Sequence, residues 1–228
     1  MKKITLAILM LFSFSSIASA ELGINIGVSG NLGAFTASGT ETSTETQGNV
    51  TTHKANETAA VGYGSIFIEK TLPGPLSRLA IGVDYVPSGL SSDTVENRIH
   101  GKGSLAATDA LVSLENTVKI DFEDLTTYYL TAAISESIYL KAGIIEVDVL
   151  TKESMASNAR YGDTNMDGTM IGVGFNKTFD NTLFVRLEGA YMDFGSASVT
   201  DSTAGSGQKV SINELQGATG KISIGKSF

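Results

Sequence analysis

From Leu22 to Phe228 the chain is dominated by short segments with apolar residues at every second position. Period two marks a β-strand, whose successive side chains leave on opposite faces. Eight such segments can be counted. The first sets Leu22, Ile24, Ile26 and Val28 against Gly23, Asn25, Gly27 and Ser29. The second, "AAVGYGSIFIEKTL", is ambiguous in phase. The third sets Leu79, Ile81, Val83 and Tyr85 against Arg78, Ala80, Gly82 and Asp84, and the lower half of the fourth groups Tyr128, Leu130, Ala132 and Ile134. In the fifth, "IYLKAGIIEVDVL", the phase slips at Ile144-Ile145, which predicts a β-bulge there. The sixth sets Ile171, Val173 and Phe175 against Gly172, Gly174 and Asn176. The seventh is the clearest, with Leu183, Val185, Leu187 and Tyr191 against Arg186 and Glu188. The eighth carries Ile222, Ile224, Lys226 and Phe228 on one face and Lys221, Ser223, Gly225 and Ser227 on the other.

The connections alternate as regularly as the strands. Long polar ones are expected at about 38–58, 88–117, 151–167 and 195–210, and short ones at 72–77, 135–137 and 180–181. An even number of antiparallel strands, with short turns at one end and long loops at the other, is the pattern of an outer-membrane barrel. The fold class read from this is all-β, an antiparallel up-and-down transmembrane β-barrel of eight strands. The connection at 88–117 is long enough to hold a further hairpin. In lipid every backbone N–H and C=O must be paired within the protein, so only helices and closed sheets span. After the leader no apolar run approaches the roughly 20 residues of a spanning helix. A soluble exported β-sandwich that binds a ligand is the alternative, but it does not call for alternating loop lengths.

Residues 1–20, "MKKITLAILMLFSFSSIASA", have the form of a secretory leader: Lys2 and Lys3, an apolar stretch, and Ala18-Ser19-Ala20 as an A-x-A cleavage site. The mature barrel domain is then residues 21–228. Loss of Lys2 and Lys3 takes the formal charge from −8 to −10, a poor match for nucleic acid. No cysteine is present, so no disulfide framework stabilises this exported chain.

A terminal aromatic preceded by alternating apolar residues resembles the carboxy-terminal strand signal that the outer-membrane assembly machinery reads. Phe228, Ile224 and Ile222 match it; Lys226 departs from it. Over residues 21–228 the pattern resembles the small eight-stranded OmpA-like and opacity-type barrels. The stretches "FEDLTTYYL", "KAGIIEVDVL" and "SIGKSF" are also similar to outer-membrane barrel proteins of marine alphaproteobacteria. The resemblance implies the bacterial outer membrane as location, with its lipids, lipopolysaccharide and the barrel assembly machinery as partners, and a monomer. A peptidoglycan-binding domain and its cell-wall tether are not expected.

An eight-strand barrel has a lumen that side chains can fill. Asp84, Lys141, Arg186 and Glu188 are therefore expected to form a paired interior network, either a plug or a narrow porin-like channel for ions or small polar solutes. In "DTNMDG", Asp163, Asn165 and Asp167 resemble the start of a calcium loop, but Gly174 stands at the twelfth position, where a bidentate Glu is needed. A turn into the sixth strand is the simpler reading. His53 and His100 fall in expected outer loops without a nucleophile–base spacing, so no enzyme and no cofactor is expected. Tyr63, Phe67, Tyr85, Tyr128, Tyr129, Phe175, Phe179, Tyr191, Phe194 and Phe228 are candidates for interfacial girdles. The expected role is structural or surface interaction through extracellular loops.

Overall fold

The computed structural model describes residues 23–44, 50–91, 95–102, 111–154, 161–179, 182–201 and 209–228. The expected leader lies outside the described residues. The strands are β1 (Ile24–Thr44), β2 (Val50–Thr71), β3 (Leu79–Tyr85), β4 (Leu90–Ser91), β5 (Val95–Lys102), β6 (Leu111–Ala133), β7 (Ile138–Ser154), β8 (Thr164–Thr178), β9 (Leu183–Phe194), β10 (Ala197–Thr200) and β11 (Lys209–Ser227). Their order is β1-β2-β3-β6-β7-β8-β9-β11, every neighbour antiparallel, and β11 pairs back onto β1. The result is a closed barrel of eight staves rather than a two-layer sandwich. The short pieces β4 and β5 pair with β6, and β10 pairs with β11. At the seam of closure Phe228 N–H donates to Ile24 C=O (2.8 Å) and Ile24 N–H to Phe228 C=O (3.3 Å).

Two of the expected short turns are present at one rim. A 3-10 turn spans Gly74–Leu76, and the Ser135 hydroxyl accepts from the N–H of Ile138 (3.0 Å). Asp180 and Asn181 lie outside the described residues. At the other rim the expected long loops are largely sheet. β1 and β2 continue to Thr44 and from Val50, β5 and β6 form a hairpin within 88–117, and β7 reaches Ser154. The Ser- and Thr-rich ends of β1 and β2 conceal strands because their sequences carry no apolar alternation.

Around the short-turn half, the outward side chains are apolar and exposed: Val28, Leu32, Ile66, Leu140, Ile171, Leu187, Ile222 and Ile224 are each between 49 and 67% accessible. A continuous belt of this kind on a closed sheet faces hydrocarbon. The inward positions here are small or polar, among them Ser29, Ser65, Ser223 and Asn31. Further from the short-turn rim the pattern inverts. Ile145, Val147, Val149, Met166, Met170, Met192 and Phe194 fill the interior as an apolar tier, while Glu123, Asp148, Asp167 and Asp193 stand exposed on the outside. The outer surface has passed from lipid to water, so the hydrophobic effect now drives apolar groups inward.

This inversion corrects the bulge expected at Ile144-Ile145. Alternation in β7 runs unbroken there: Ile144 is 57% exposed to lipid and Ile145 fully buried in the lumen. Both are apolar because this is the level at which both faces are dry. The bulge lies across the ladder, where β6 spends Asp124 and Leu125 between the pairs Glu123↔Asp148 and Thr126↔Glu146. Asp124 takes φ 53°, in the left-handed region, and accepts from the Tyr85 hydroxyl (2.6 Å).

The aromatic girdle is narrower than expected. Phe175, Phe179, Tyr191 and Phe228 are exposed on the outer face, but Tyr63, Phe67, Tyr129 and Phe194 are buried. The ambiguous phase of the second segment has the same origin. Tyr63, Phe67 and Glu69 are buried while Gly62 and Gly64 are exposed, which reverses the usual bulk contrast of a lipid-facing strand.

Candidate functional site

The lumen is built from inward positions at matching heights on adjacent strands. β9 contributes Arg186 and Glu188, β7 Tyr139 and Lys141, β3 Asp84, β2 Phe67 and Glu69, and β11 Lys221. The pairing places Lys221 opposite Glu188, Glu188 opposite Gly174, and Gly174 opposite Tyr139, so these residues form one inward row. Phe67 is opposite Asp84, and Glu69 opposite Gly82.

Three ion pairs among the described residues lock this layer. Arg186 donates through both terminal nitrogens to Glu69, with Nη1–Oε2 of 2.8 Å and Nη2–Oε1 of 2.7 Å. Asn25 Nδ2 and the Tyr129 hydroxyl also donate to Glu69, and Arg186 Nε donates to Asn176 Oδ1. Lys141 Nζ lies 3.0 and 3.2 Å from the two Glu188 oxygens, which also accept from the Tyr139 hydroxyl (2.9 Å). Lys221 Nζ donates to Asp84. Rings hold the cations from the side: Lys141 Nζ is 4.0 Å from the Tyr129 centroid and Arg186 Cζ 4.5 Å from that of Phe184. Buried charges are costly unless paired and hydrogen-bonded, and here both conditions are met.

Two glycines make room for this layer. A Cβ on Gly174 would stand 2.1 Å from the Tyr139 ring, and one on Gly82 2.4 Å from the Tyr129 ring. Each ring lies flat across a neighbouring strand because the facing residue has no side chain.

Asp84, Lys141, Arg186 and Glu188, named from the sequence, all belong to this layer, but in different partnerships. Lys141 binds Glu188, whereas Arg186 and Asp84 take Glu69 and Lys221. Glu69 was hidden by the ambiguous phase of its segment. Lys221 stood on the polar face of the last strand but was not named for the lumen; period two was the signal that could have found it. Above the layer the apolar tier fills the lumen, with Ile145 and Met166 no more than 1% exposed. Below it a vestibule of about 940 Å³ opens at the short-turn rim, floored by Glu69, Arg186, Tyr139 and Phe184.

The calcium-loop candidates do not form a loop. Thr164–Gly168 belong to β8. Alternate residues of a strand stand about 7 Å apart in a line, which cannot wrap an ion. Asp163 Oδ1 accepts from the Thr151 N–H (3.3 Å), and Asn165 Nδ2 donates to Asp148 (2.9 Å). Among the described residues no group of three or more His, Cys, Asp and Glu side chains is placed to hold a metal. The side chains of His53 and His100 lie outside the described residues. At the carboxy-terminal strand, Ile222, Ile224 and Phe228 are outward and 54, 57 and 49% exposed. The departing Lys226 sits beside the last ring, its Nζ 5.1 Å from the Phe228 centroid at the rim, where a long cation reaches water.

A closed sheet, an apolar outer belt and a polar interior define a transmembrane β-barrel of the bacterial outer-membrane type. No protein-family model and no curated protein matches the sequence. In structure the chain is similar to OprG from Pseudomonas aeruginosa, at 12% identity and a TM-score of 0.46, covering 93% of this chain and 99% of that one. It is also similar to the outer-membrane protease OmpT from Escherichia coli (12%, TM-score 0.44, 94% and 99%). A third similar structure is Ail, the attachment invasion locus protein of Yersinia pestis (9%, TM-score 0.36, 87% and 99%). At such identities neither activity nor ligand carries over.

Proposed function

We propose that this protein is a sealed outer-membrane barrel whose work is done at its external surface and not through its lumen. The observation that carries the reading is the stacking of two seals. A layer of three ion pairs spans the lumen, and an apolar tier fills it directly above. A hydrated ion would have to break the first and enter a dry second. The sheet beyond the belt then offers the interaction surface, in envelope integrity, adhesion or binding of environmental ligands. Glu123, Asp148, Asp167 and Asp193 stand just past the belt, at headgroup level. There divalent cations would bridge them to lipopolysaccharide phosphates. Phe228, Ile224 and Ile222 serve as the strand signal for the assembly machinery, and the barrel acts as a monomer after removal of residues 1–20. The charged groups of the lumen layer are engaged with one another, which supports a non-enzymatic role.

The vestibule at the short-turn rim favours the second reading, a narrow channel for ions or small polar solutes. Planar-bilayer recording decides between the two. The sealed barrel gives no discrete openings. Regular openings that change when Lys141 or Arg186 is replaced would establish the channel and overturn the seal.

A further inference from the structure

The barrel wall has one seam within the belt where the ladder stops. β2 pairs with β3 from Ile66↔Tyr85 to Thr71↔Ala80, yet β2 continues to Val50, and its partners there lie on β1 alone. On the other side of the gap the chain runs Val86, Pro87, Ser88, Gly89, Leu90, and β4 turns to β6. Among the described residues no backbone hydrogen bond joins Ala60–Ser65 to Val86–Ser91.

The cause is visible in the register. Val86 N–H donates to Leu125 C=O (2.9 Å), so Val86 faces β6. By the alternation of an antiparallel ladder, Tyr85 and Pro87 turn toward β2, while Ile66, Gly64 and Gly62 turn toward β3. Pro87 is therefore the next residue due to donate, and it has no N–H. The edge left open is that of Gly64 and Gly62. Gly62 is in register with Leu32, which is 67% exposed in the belt. Unpaired backbone groups are costly against hydrocarbon, so this edge gains from a partner in the membrane.

We propose that the segment Val86–Ser91 is that partner, and that the wall has two states. In the closed state the β2–β3 register continues past Pro87 and places Gly62 opposite Gly89 and Ala60 opposite Ser91. The strands already run antiparallel, and the segment is tethered to β3, so its effective concentration is high. In the open state, the one described above, the gap leads from the belt to the edge of the apolar tier at Tyr63, Val86 and Leu90. Pro87 keeps the closed state from being permanent by withholding one bond.

The absence of cysteine makes cross-linking a direct test. The protein is refolded in lipid vesicles as Ala60→Cys/Ser91→Cys, in the continued register, and as Asn56→Cys/Ser91→Cys, four residues out of it. Heat-modifiable migration confirms folding of each. The in-register pair is expected to oxidise at least tenfold faster, and Pro87→Ala to accelerate it severalfold. Equal rates, no cross-link in either pair, or insensitivity to Pro87→Ala overturns the proposal. So does a dimer from Ala60→Cys alone, which would assign the edge to a second copy. If the cysteine variants do not fold, amide exchange at Gly62 and Gly64 in the otherwise unaltered chain gives the same answer. Both amides should gain protection in Pro87→Ala, and unchanged exchange overturns the zip.

Discussion

Replacing Arg186 with methionine should be among the most damaging single changes in the barrel. The side chain of Glu69 is 2% exposed and that of Arg186 13%, and two bonds of 2.7 and 2.8 Å join them. Arg186→Met keeps most of the volume and leaves the buried Glu69 carboxylate without its counter-charge, with Asn25 and the Tyr129 hydroxyl as its remaining donors. Breaking a buried pair from one side costs about 3–5 kcal/mol. That is a shift of roughly 10² to 10⁴ in the folding equilibrium. Glu69→Gln should cost less, about 1–3 kcal/mol, because the one amide oxygen can still accept from Arg186 and from either Asn25 or Tyr129. The double variant removes both charges and should recover part of the loss, giving a coupling energy within the 0.5–3 kcal/mol found for residues in direct contact. The assay is reversible urea unfolding in lipid vesicles, followed by tryptophan-free near-UV signals of the lumen tyrosines and by heat-modifiable migration. A loss below about 1 kcal/mol for Arg186→Met, the range of a solvent-screened pair, would refute the reasoning. Strict additivity in the double variant would refute it as well.

Gly174→Val should lower stability by about 1–3 kcal/mol by displacing the Tyr139 ring and its bond to Glu188, whereas Gly189→Ala and Gly220→Ala, with open space around the added carbon, should be neutral in the same unfolding assay. Ile171→Arg on the lipid face should cost about 2–4 kcal/mol and Thr58→Arg, beyond the belt, close to nothing, measured as urea midpoints in vesicles. Asp124→Val should destabilise the bulge by about 1–3 kcal/mol, since a β-branched residue is strained at φ 53°, while Asp124→Gly should keep the fold and lose only the Tyr85 bond. Phe228→Ala should reduce the yield of assembled protein in outer-membrane fractions more than it reduces the stability of protein refolded in vitro, because the exposed ring makes few internal contacts.

Much of the barrel was legible because its lower half obeys one rule. Lipid outside and a narrow lumen inside force period two, so Ile171, Val173 and Phe175 could be assigned outward and Arg186 and Glu188 inward without any contact being known. The rule failed where both faces meet similar surroundings. At Ile144-Ile145 both are dry and the pattern resembled a bulge. In the strand extensions near Thr44 and Val50 neither face shows contrast, and the pattern resembled a loop. The true bulge at Asp124 left no periodic trace, because the acidic run Asp121, Glu123 and Asp124 gives that part of the fourth segment no apolar alternation whose phase could slip.

What the sequence determined by itself is the class of structure. Eight alternating segments without a spanning helix leave a closed sheet as the only arrangement that satisfies every backbone group in a bilayer. Tertiary structure alone decided who partners whom. Arg186 lies 117 residues from Glu69 and Lys221 137 from Asp84, and no local pattern records such distances. Stagger between strands brings those charges to one height, and closure of β11 onto β1 brings Lys221 across the lumen from β3. The same stagger sets the level at which the apolar face turns from the lipid to the interior. A strand's own sequence specifies its two faces; only the finished barrel specifies which solvent each face meets.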